Sequence, residues 1–405
     1  MAAKAQVASS PFSKFGIGDI YSNGIAQNQG MGGIGISNPS ASYLNNQNPA
    51  LLVFNRITVF QGGLQFENRT ATDGINTQSF GSGNMNYLAM AFPVLPDGKW
   101  TTSIGLTPYS HVNYNISYSD VASGSTAPIN RQETGTGGIN QFYWSNGLTI
   151  NKYFSVGVKA SYMFGSIITQ DYNNFVNAVG SFSSVYVRDY FHGLNFSGGI
   201  SFHKDSLFKK NYRLNIGVVY SLKSDLNTQH FSRFQLNSVS GAIIDSATID
   251  NNIGGRMNLP KNVGVGVSFG KVDKWTAGAD FTYLDFRTFN GFTNSMGIPT
   301  IGFRSGIGIE YTPDLMDYSS YLSRVTYRVG AGYEKSPYLI NGNSLMDWGG
   351  TFGFSLPVGG WSTVDLGFKV GKRGVVSKNL IEENYFRVYF AITFNDRWFI
   401  KRRFD

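Results

Sequence analysis

The chain holds four histidines, His111, His192, His203 and His230, and no cysteine. A disulfide scaffold and a cysteine-based metal site are therefore excluded. No histidine has a second ligand at the helical or hairpin spacing that a histidine metal site needs. Ser110, His111 and Asn113 offer the residue types for nucleophilic ester hydrolysis. His111 and Asn113 share one face of an alternating stretch, but Ser110 falls on the opposite face, away from the base that would activate it. Glycine pairs such as Gly254-Gly255 lie in strand or loop sequence, not in a strand–helix phosphate cradle. The chain reads as a non-enzyme, with no catalytic residue, no metal and no cofactor expected.

The remaining charged residues follow a geometric rule. In residues 262–270, Val263, Val265, Val267 and Phe269 alternate with Asn262, Gly264, Gly266 and Ser268. Side chains alternate across a strand, so this stretch has one oily and one polar face. The pattern recurs from Asn55 to Phe394 with no helical section between. Lys159, Asp280, Arg304, Glu310, Arg324, Arg328, Glu334, Asp365, Lys369 and Arg387 all fall opposite the oily faces. Turning a Lys or Arg toward hydrocarbon costs roughly 2–4 kcal/mol near the midplane, which fixes the polar face inward. Both signs are present, so these groups are expected to pair with each other and with polar groups of a plug; Arg324 and Arg328 also offer themselves to an anionic headgroup.

The elements that would position them are strands near 55–67, 84–95, 99–119, 139–150, 153–171, 184–204, 211–233, 257–270, 275–289, 298–312, 321–335, 343–356, 361–372 and 384–394. Fourteen is an even number, as a single-chain antiparallel transmembrane β-barrel requires. Short turns fall at Pro96-Asp97-Gly98-Lys99, Asn151-Lys152, Lys271-Val272-Asp273-Lys274 and Pro357-Val358-Gly359-Gly360. Long polar segments lie at 68–83, 120–138, 172–183 and 234–256. Short turns belong at the periplasmic rim and long loops outside, so both ends of the barrel should face the periplasm. The reading is thus all-β, one barrel over 55–396 in the bacterial outer membrane. Several strands exceed the roughly 9–11 residues that cross a bilayer and should project above it.

Composition agrees. Only 14% of residues are charged, Phe and Tyr number 32 and 23, and Gly numbers 49. No apolar run approaches the roughly 18 residues of a membrane helix. The net charge of +8 is spread rather than striped, so no nucleic-acid partner is expected. Its densest run, Lys401-Arg402-Arg403, belongs to a short basic periplasmic tail, 397–405. Trp398 and Phe399 are placed at the membrane edge, where amphipathic rings are favoured. The chain starts without the apolar core of a signal peptide, but Ala3-Lys4-Ala5 before Gln6 has the small residues that end one, so a processed chain is expected.

Residues 1–54 do not alternate, yet contain Phe12, Phe15, Ile17, Ile20, Met31, Ile34, Tyr43, Leu44 and Leu51. That is enough apolar material to fold against something. A barrel of this size leaves a lumen too wide for side chains alone to fill, so this segment is expected inside it as a hatch. Pro108 is a second oddity: within a strand it cannot donate a ladder hydrogen bond, so a bulge, kink or gap in the wall is expected there, near Gly105.

Three stretches carry a family resemblance. Ser10-Pro11-Phe12-Ser13-Lys14-Phe15-Gly16-Ile17-Gly18-Asp19, then Met31-Gly32-Gly33-Ile34-Gly35 and Asn48-Pro49-Ala50, resemble the opening of outer-membrane long-chain fatty-acid transporters of the FadL type, in the version found in Bacteroidota. Leu259 to Gly266 with Trp275 to Phe281, and Tyr327 to Pro337, are similar in order and spacing. The resemblance implies a fourteen-stranded barrel plugged by an N-terminal hatch, with Met31, Gly32, Gly33, Gly35, Asn48, Pro49 and Ala50 as plug residues. It also implies a lateral opening at a kink in the third strand, where Pro108 matches, through which a hydrophobic or amphipathic small molecule passes into the membrane. Outer-membrane lipid or lipopolysaccharide and the ligand itself are then the expected partners. The alternative expectation is a structural, plug or gating subunit of a larger outer-membrane complex, such as the protein-secretion (type IX) translocon of these bacteria.

Overall fold

Alternating sequence gives strands, and the computed structural model closes them into an antiparallel ring. It describes residues 9–22, 24–95, 98–121, 128–175, 181–207, 211–291, 297–360, 362–378 and 380–396. The strands are β1 Thr58–Thr72, β2 Thr77–Leu95, β3 Trp100–Val121, β4 Pro128–Thr149, β5 Phe154–Phe175 and β6 Ser181–Asp205. β7 runs Tyr212–Ser221 and Ser224–Ser238, and β8 runs Ile243–Leu259 and Asn262–Lys271. β9 is Trp275–Asp285, and β10 is Ile298–Pro299 with Ile301–Tyr311. β11 Thr326–Ile340, β12 Asn343–Gly359, β13 Ser362–Arg373 and β14 Glu382–Asp396 complete the set. β14 zips to β1 along its whole length, from Glu382↔Thr72 to Asp396↔Thr58, and this closes a fourteen-stranded barrel. No helix among the described residues is long and apolar enough to cross a membrane.

The outer face is oily, as the alternation requires. Phe60, Leu64, Phe66, Phe142, Trp144, Ile200, Val265, Val267 and Phe386 are exposed on it. The inner face of the same strands carries glycine. A Cβ at Gly157 would lie 2.3 Å from the Pro49 carbonyl carbon, and one at Gly217 would lie 2.0 Å from the Ile36 oxygen. The inward glycines of the alternating strands are therefore the floor on which the N-terminal segment rests.

Several boundaries differ from the sequence reading, for two physical reasons. Above the oily belt a strand has no lipid face, so the period-two signal fades while the ladder continues. Residues 234–256, read as a loop, form the β7–β8 hairpin, whose β8 arm is exposed on both faces over most of its upper half. Likewise β1 and β2 continue to Thr72↔Thr77 through residues read as the 68–83 loop, and β4 starts at Pro128 within the 120–138 loop. The second reason is local. Residues 321–324, read as the start of a strand, form a helical turn, Tyr321–Arg324, in the connection between β10 and β11. Residues 96–97, the N-terminal Ala3-Lys4-Ala5-Gln6 stretch, and Trp398, Phe399 and the tail 397–405 lie outside the described residues.

Candidate functional site

One seam in the ring is only half zipped. β2 and β3 pair from Leu95↔Trp100 up to Leu88↔Leu106. Beyond that point β2 continues on β1 and β3 continues on β4, with no pairing between β2 and β3 among the described residues. Pro108 sits two residues past the last pair, and Tyr109 is the extra residue of a bulge between Pro108↔Asn140 and Ser110↔Ile139. Across from it, Gly137 (φ 111°) and Gly138 (φ 146°) adopt backbone that side-chain-bearing residues avoid. A Cβ at Gly138 would also lie 2.3 Å from the Ser110 oxygen, so the bulge depends on glycine there. Gly105 lies below the gap, in the zipped part, with the Tyr143 ring laid over it.

The N-terminal segment reaches into the open part of the seam. Asp19↔His111 and Ile20↔Ser110 pair as a two-residue strand on β3. Tyr21 N–H donates to the Tyr109 carbonyl at 2.9 Å, and Ser10 N–H to the Asn113 carbonyl at 2.8 Å. From the β2 side, Asn84 Nδ2 donates to the Tyr21 hydroxyl at 3.0 Å. Gly18 (φ 86°) permits the approach, because a Cβ there would stand 2.0 Å from the His111 oxygen. Behind the seam, the inner wall carries an apolar cluster: Val112, Tyr114, Ile139, Met163, Ile167, Phe191, Leu226 and Met257 gather with Ile17, and Ile20 packs against them. Ser110 Oγ and Thr107 Oγ1 are buried at this place with no hydrogen-bond partner among the described residues.

The same segment is tied to the inward-facing charges. Asp19 takes both Arg373 nitrogens, at 2.6 and 2.9 Å. Burial pushes the Asp19 carboxyl up, but the Arg373 charge and hydrogen bonds outweigh it and hold the group well below the usual carboxylate range. Lys14 pairs with Glu133, and Ser10 Oγ donates to Glu383 at 2.6 Å. Arg304 donates to the carbonyls of Ile20 (2.6 Å) and Tyr21 (3.1 Å) while holding Glu334 at 3.0 Å. Asp280 accepts from the backbone of Gly35 and Ile36, both at 2.7 Å, so it caps the Met31–Ile36 turn. Gly32 N–H donates to Thr351 Oγ1 at 2.8 Å, and Gly33 (φ 85°) completes that turn. Asn48 Nδ2 donates to the Ile36 carbonyl (2.9 Å) and its Oδ1 accepts from Ala50 (3.0 Å), which starts the Pro49–Phe54 helical turn. Lys159 donates to Asn46 at 3.0 Å and lies over the Tyr143 ring.

Arg328 pairs with Glu310 (3.1 Å) and donates to Ser355 (2.6 Å), which in turn bonds Asp365. Lys369 faces Asp347 at 3.9 Å, and Arg387 pairs with Glu67 at 2.8 Å. Arg324 lies on the helical turn and not on a strand: it stacks on Tyr318 and Tyr321 and borders the cavity at the short-turn end that Glu310 and Arg328 also line. Sequence reading missed Glu67, Arg69, Glu383 and Arg373. Arg69 is buried between Glu67 (2.6 Å) and Glu383 (2.7 Å). The signal was present, because Gln65, Glu67 and Arg69 alternate with Leu64 and Phe66. Among the histidines, His230 Nδ1 meets Asp189 at 2.6 Å, and His111 Nε2 stands 3.8 Å from Asp19. Among the described residues no group of three His, Asp or Glu side chains is placed to hold a metal ion.

Two comparisons with known proteins fit this geometry. Solved barrels of the same fold include the toluene transporter TodX of P. putida, at TM-score 0.61 and 14% identity over 94% of this chain and 100% of that one. The toluene transporter TbuX of Ralstonia pickettii gives 0.55 and 14% over 92% and 98%, and a FadL homologue of Pseudomonas aeruginosa gives 0.56 and 12% over 93% and 98%. Identity this low speaks for the fold alone. No curated protein sequence matches the chain. The model of the BamG family matches residues 1–405, the full length, and on that match the chain belongs to the BamG family.

Proposed function

We propose that this barrel resides in the outer membrane and passes hydrophobic or amphipathic small molecules from its tall, extracellular end to the half-zipped β2–β3 seam. There they leave sideways into the bilayer. The N-terminal segment acts as the hatch. The observation that carries this reading is the coincidence of three things at one place: a wall that stops pairing after Leu88↔Leu106, an apolar inner cluster leading to it, and a short stretch, Ile17 to Tyr21, that stands in the opening. Each stage of the path buries apolar ligand area, worth about 25 cal/mol per Å². Toluene transport by TodX and TbuX is in keeping with a small apolar cargo on this fold.

The cysteine-free chain gives a clean test. Ile20 and Ser110 are direct partners, so Ile20→Cys with Ser110→Cys gives a disulfide that locks the segment into the seam. Oxidised protein in vesicles should lose uptake of a fluorescent apolar probe at least tenfold, and reductant should restore it. Uptake that ignores the lock would refute the lateral route.

A second reading is favoured by a different observation. Two lumen cavities lined by Asp19, Arg304, Asp347, Lys369 and Arg373 measure only about 110 and 180 Å³, with their charges paired. The larger space of about 510 Å³ at the short-turn end, beside Tyr43, Glu310 and Arg328, is separate from them. A barrel closed in this way also suits a structural, plug or gating subunit of a larger outer-membrane complex, the secretion translocon being one such machine. Purification from mildly solubilised membranes separates the two: a stoichiometric large partner supports the subunit, and a lone barrel that takes up the probe supports the transporter.

A further inference from the structure

The outer wall near the short-turn rim carries a recess of about 980 Å³ across β3 to β7. Its floor follows one outward row, Thr102↔Asn146↔Val158↔Gly198↔Tyr220, and the row above supplies Ala160. Two small residues, Ala160 and Gly198, set the depth on neighbouring strands. Larger exposed residues stand round them: Trp144 and Phe196 above, Leu148 and Ile200 below. Both indole N–H groups beside the floor are already spent. Trp144 Nε1 donates to Thr102 Oγ1 at 2.9 Å, and Trp100 Nε1 donates to Asn146 Oδ1 at 3.0 Å. Thr102 Oγ1 donates onward to the Ser145 carbonyl at 3.2 Å.

Those hydrogen bonds decide what fits. An indole at a membrane edge ordinarily turns its N–H toward headgroups or water. Here both N–H groups are tied to the wall, so each ring lies along it as an apolar slab. The two indoles ask the occupant for no hydrogen bond, and the recess opens onto the oily belt. Asn146 Nδ2 and the Tyr220 hydroxyl are the polar groups left in a lining otherwise built of apolar side chains. We propose that it is a binding site for one hydrocarbon chain of a phospholipid from the periplasmic leaflet, held between the Trp144–Phe196 and Leu148–Ile200 ridges over Ala160 and Gly198. The proposal rests on the outer-membrane placement given above, with the short turns in the periplasm, and not on transport. Each methylene that leaves a mobile bilayer for a fixed apolar wall gains dispersion contacts with aromatic and branched side chains, which annular lipid elsewhere on the belt does not match. A headgroup carries none of the attraction, so chain length rather than headgroup should set affinity.

The test uses the full barrel, reconstituted in phosphatidylcholine vesicles and then stripped in detergent. Phospholipid remaining on the protein is counted by native mass spectrometry. Wild type should keep stoichiometric phospholipid. Gly198→Leu and Ala160→Phe, which fill the floor, should keep at least tenfold less, while Ile307→Phe, an exposed position on β10 across the ring, should match wild type. Equal retention in all four proteins would overturn the site. So would a stoichiometric protein, co-purified on wild type and released by Gly198→Leu, since the recess would then be a protein interface. A second measurement needs no variant and covers a variant that fails to fold. Phosphatidylcholine with a diazirine near the chain end should label peptides containing Val158 and Ile200 above all others, and labelling spread evenly over the belt would reject the proposal. Filling the floor leaves Ile20 and Ser110 untouched, so a failure here and a failure of the seam lock are separately visible.

Discussion

At the scale of single residues, the ion pairs on the inner wall divide into those that hold strands together and those that hold the N-terminal segment. Arg69 with Glu67 and Glu383 joins β1 to β14, whereas Arg373 with Asp19 reaches across to the segment. Asp19 has a depressed value in the folded protein, so its contribution is complete above the unfolded value of about 3.9 and is lost as pH falls through the folded one. A spin label at Ile17 should therefore be immobile at neutral pH and gain mobility only in strong acid. Asp19→Asn, which keeps the shape and removes the charge, should bring that mobility to neutral pH. A label equally rigid in both proteins would mean that Arg373 does not hold the segment.

At the scale of elements, the sequence exposes its strands wherever lipid faces one side and hides them where it does not. Val263 to Phe269 and Phe386 to Phe394 were legible because burial in hydrocarbon imposes strict alternation. The β8 arm from Ile243 to Arg256 was not, since water on both faces removes the selection that writes a period. The helical turn at Arg324 is hidden for a related reason: a charged residue near a strand end carries no mark of whether the backbone is extended or turned. The half-zipped seam was legible only as a proline out of place. Pairing is a property of two strands, and nothing in β3 alone records that β2 stops bonding to it after Leu88. The stretch across that seam hangs on Gly18. Gly18→Val adds a branched side chain at positive φ where a Cβ already meets the His111 oxygen. A single cysteine at Ser110 in that background should react with a water-soluble maleimide at least tenfold faster than in the parent. Unchanged reactivity would show that the stretch stays paired regardless.

At the scale of the whole molecule, the ring is lopsided. β3 to β8 carry long arms above the belt, while β9, β10 and β13 barely exceed its thickness. The long arms rest on one another and not on the short side, so their tips should be dispensable for folding. Replacing Phe234 to Ala247 with a two-residue turn keeps the Arg233↔Thr248 pair and removes mostly exposed chain. The shortened protein should keep the heat-modifiable gel mobility of a closed barrel and lose only a few degrees of melting temperature. Collapse of that mobility would instead make the tall side part of the folding unit.

The joint between β14 and β1 carries a consequence for how the molecule is made. The segment that precedes β1 touches every strand, from Leu44 N–H on Gln61 and Gly32 on Thr351 to Gln27 on Thr393. The chain's last strand is the one that shuts the ring beside its first. A segment synthesised before the barrel thus acquires its full set of neighbours only when β14 arrives. Either the sheet curls around a waiting N-terminus, or the N-terminus is drawn in through a finished mouth. The glycine-lined inner surface, smooth and already fitted to that backbone, would serve as the mould in both orders of assembly.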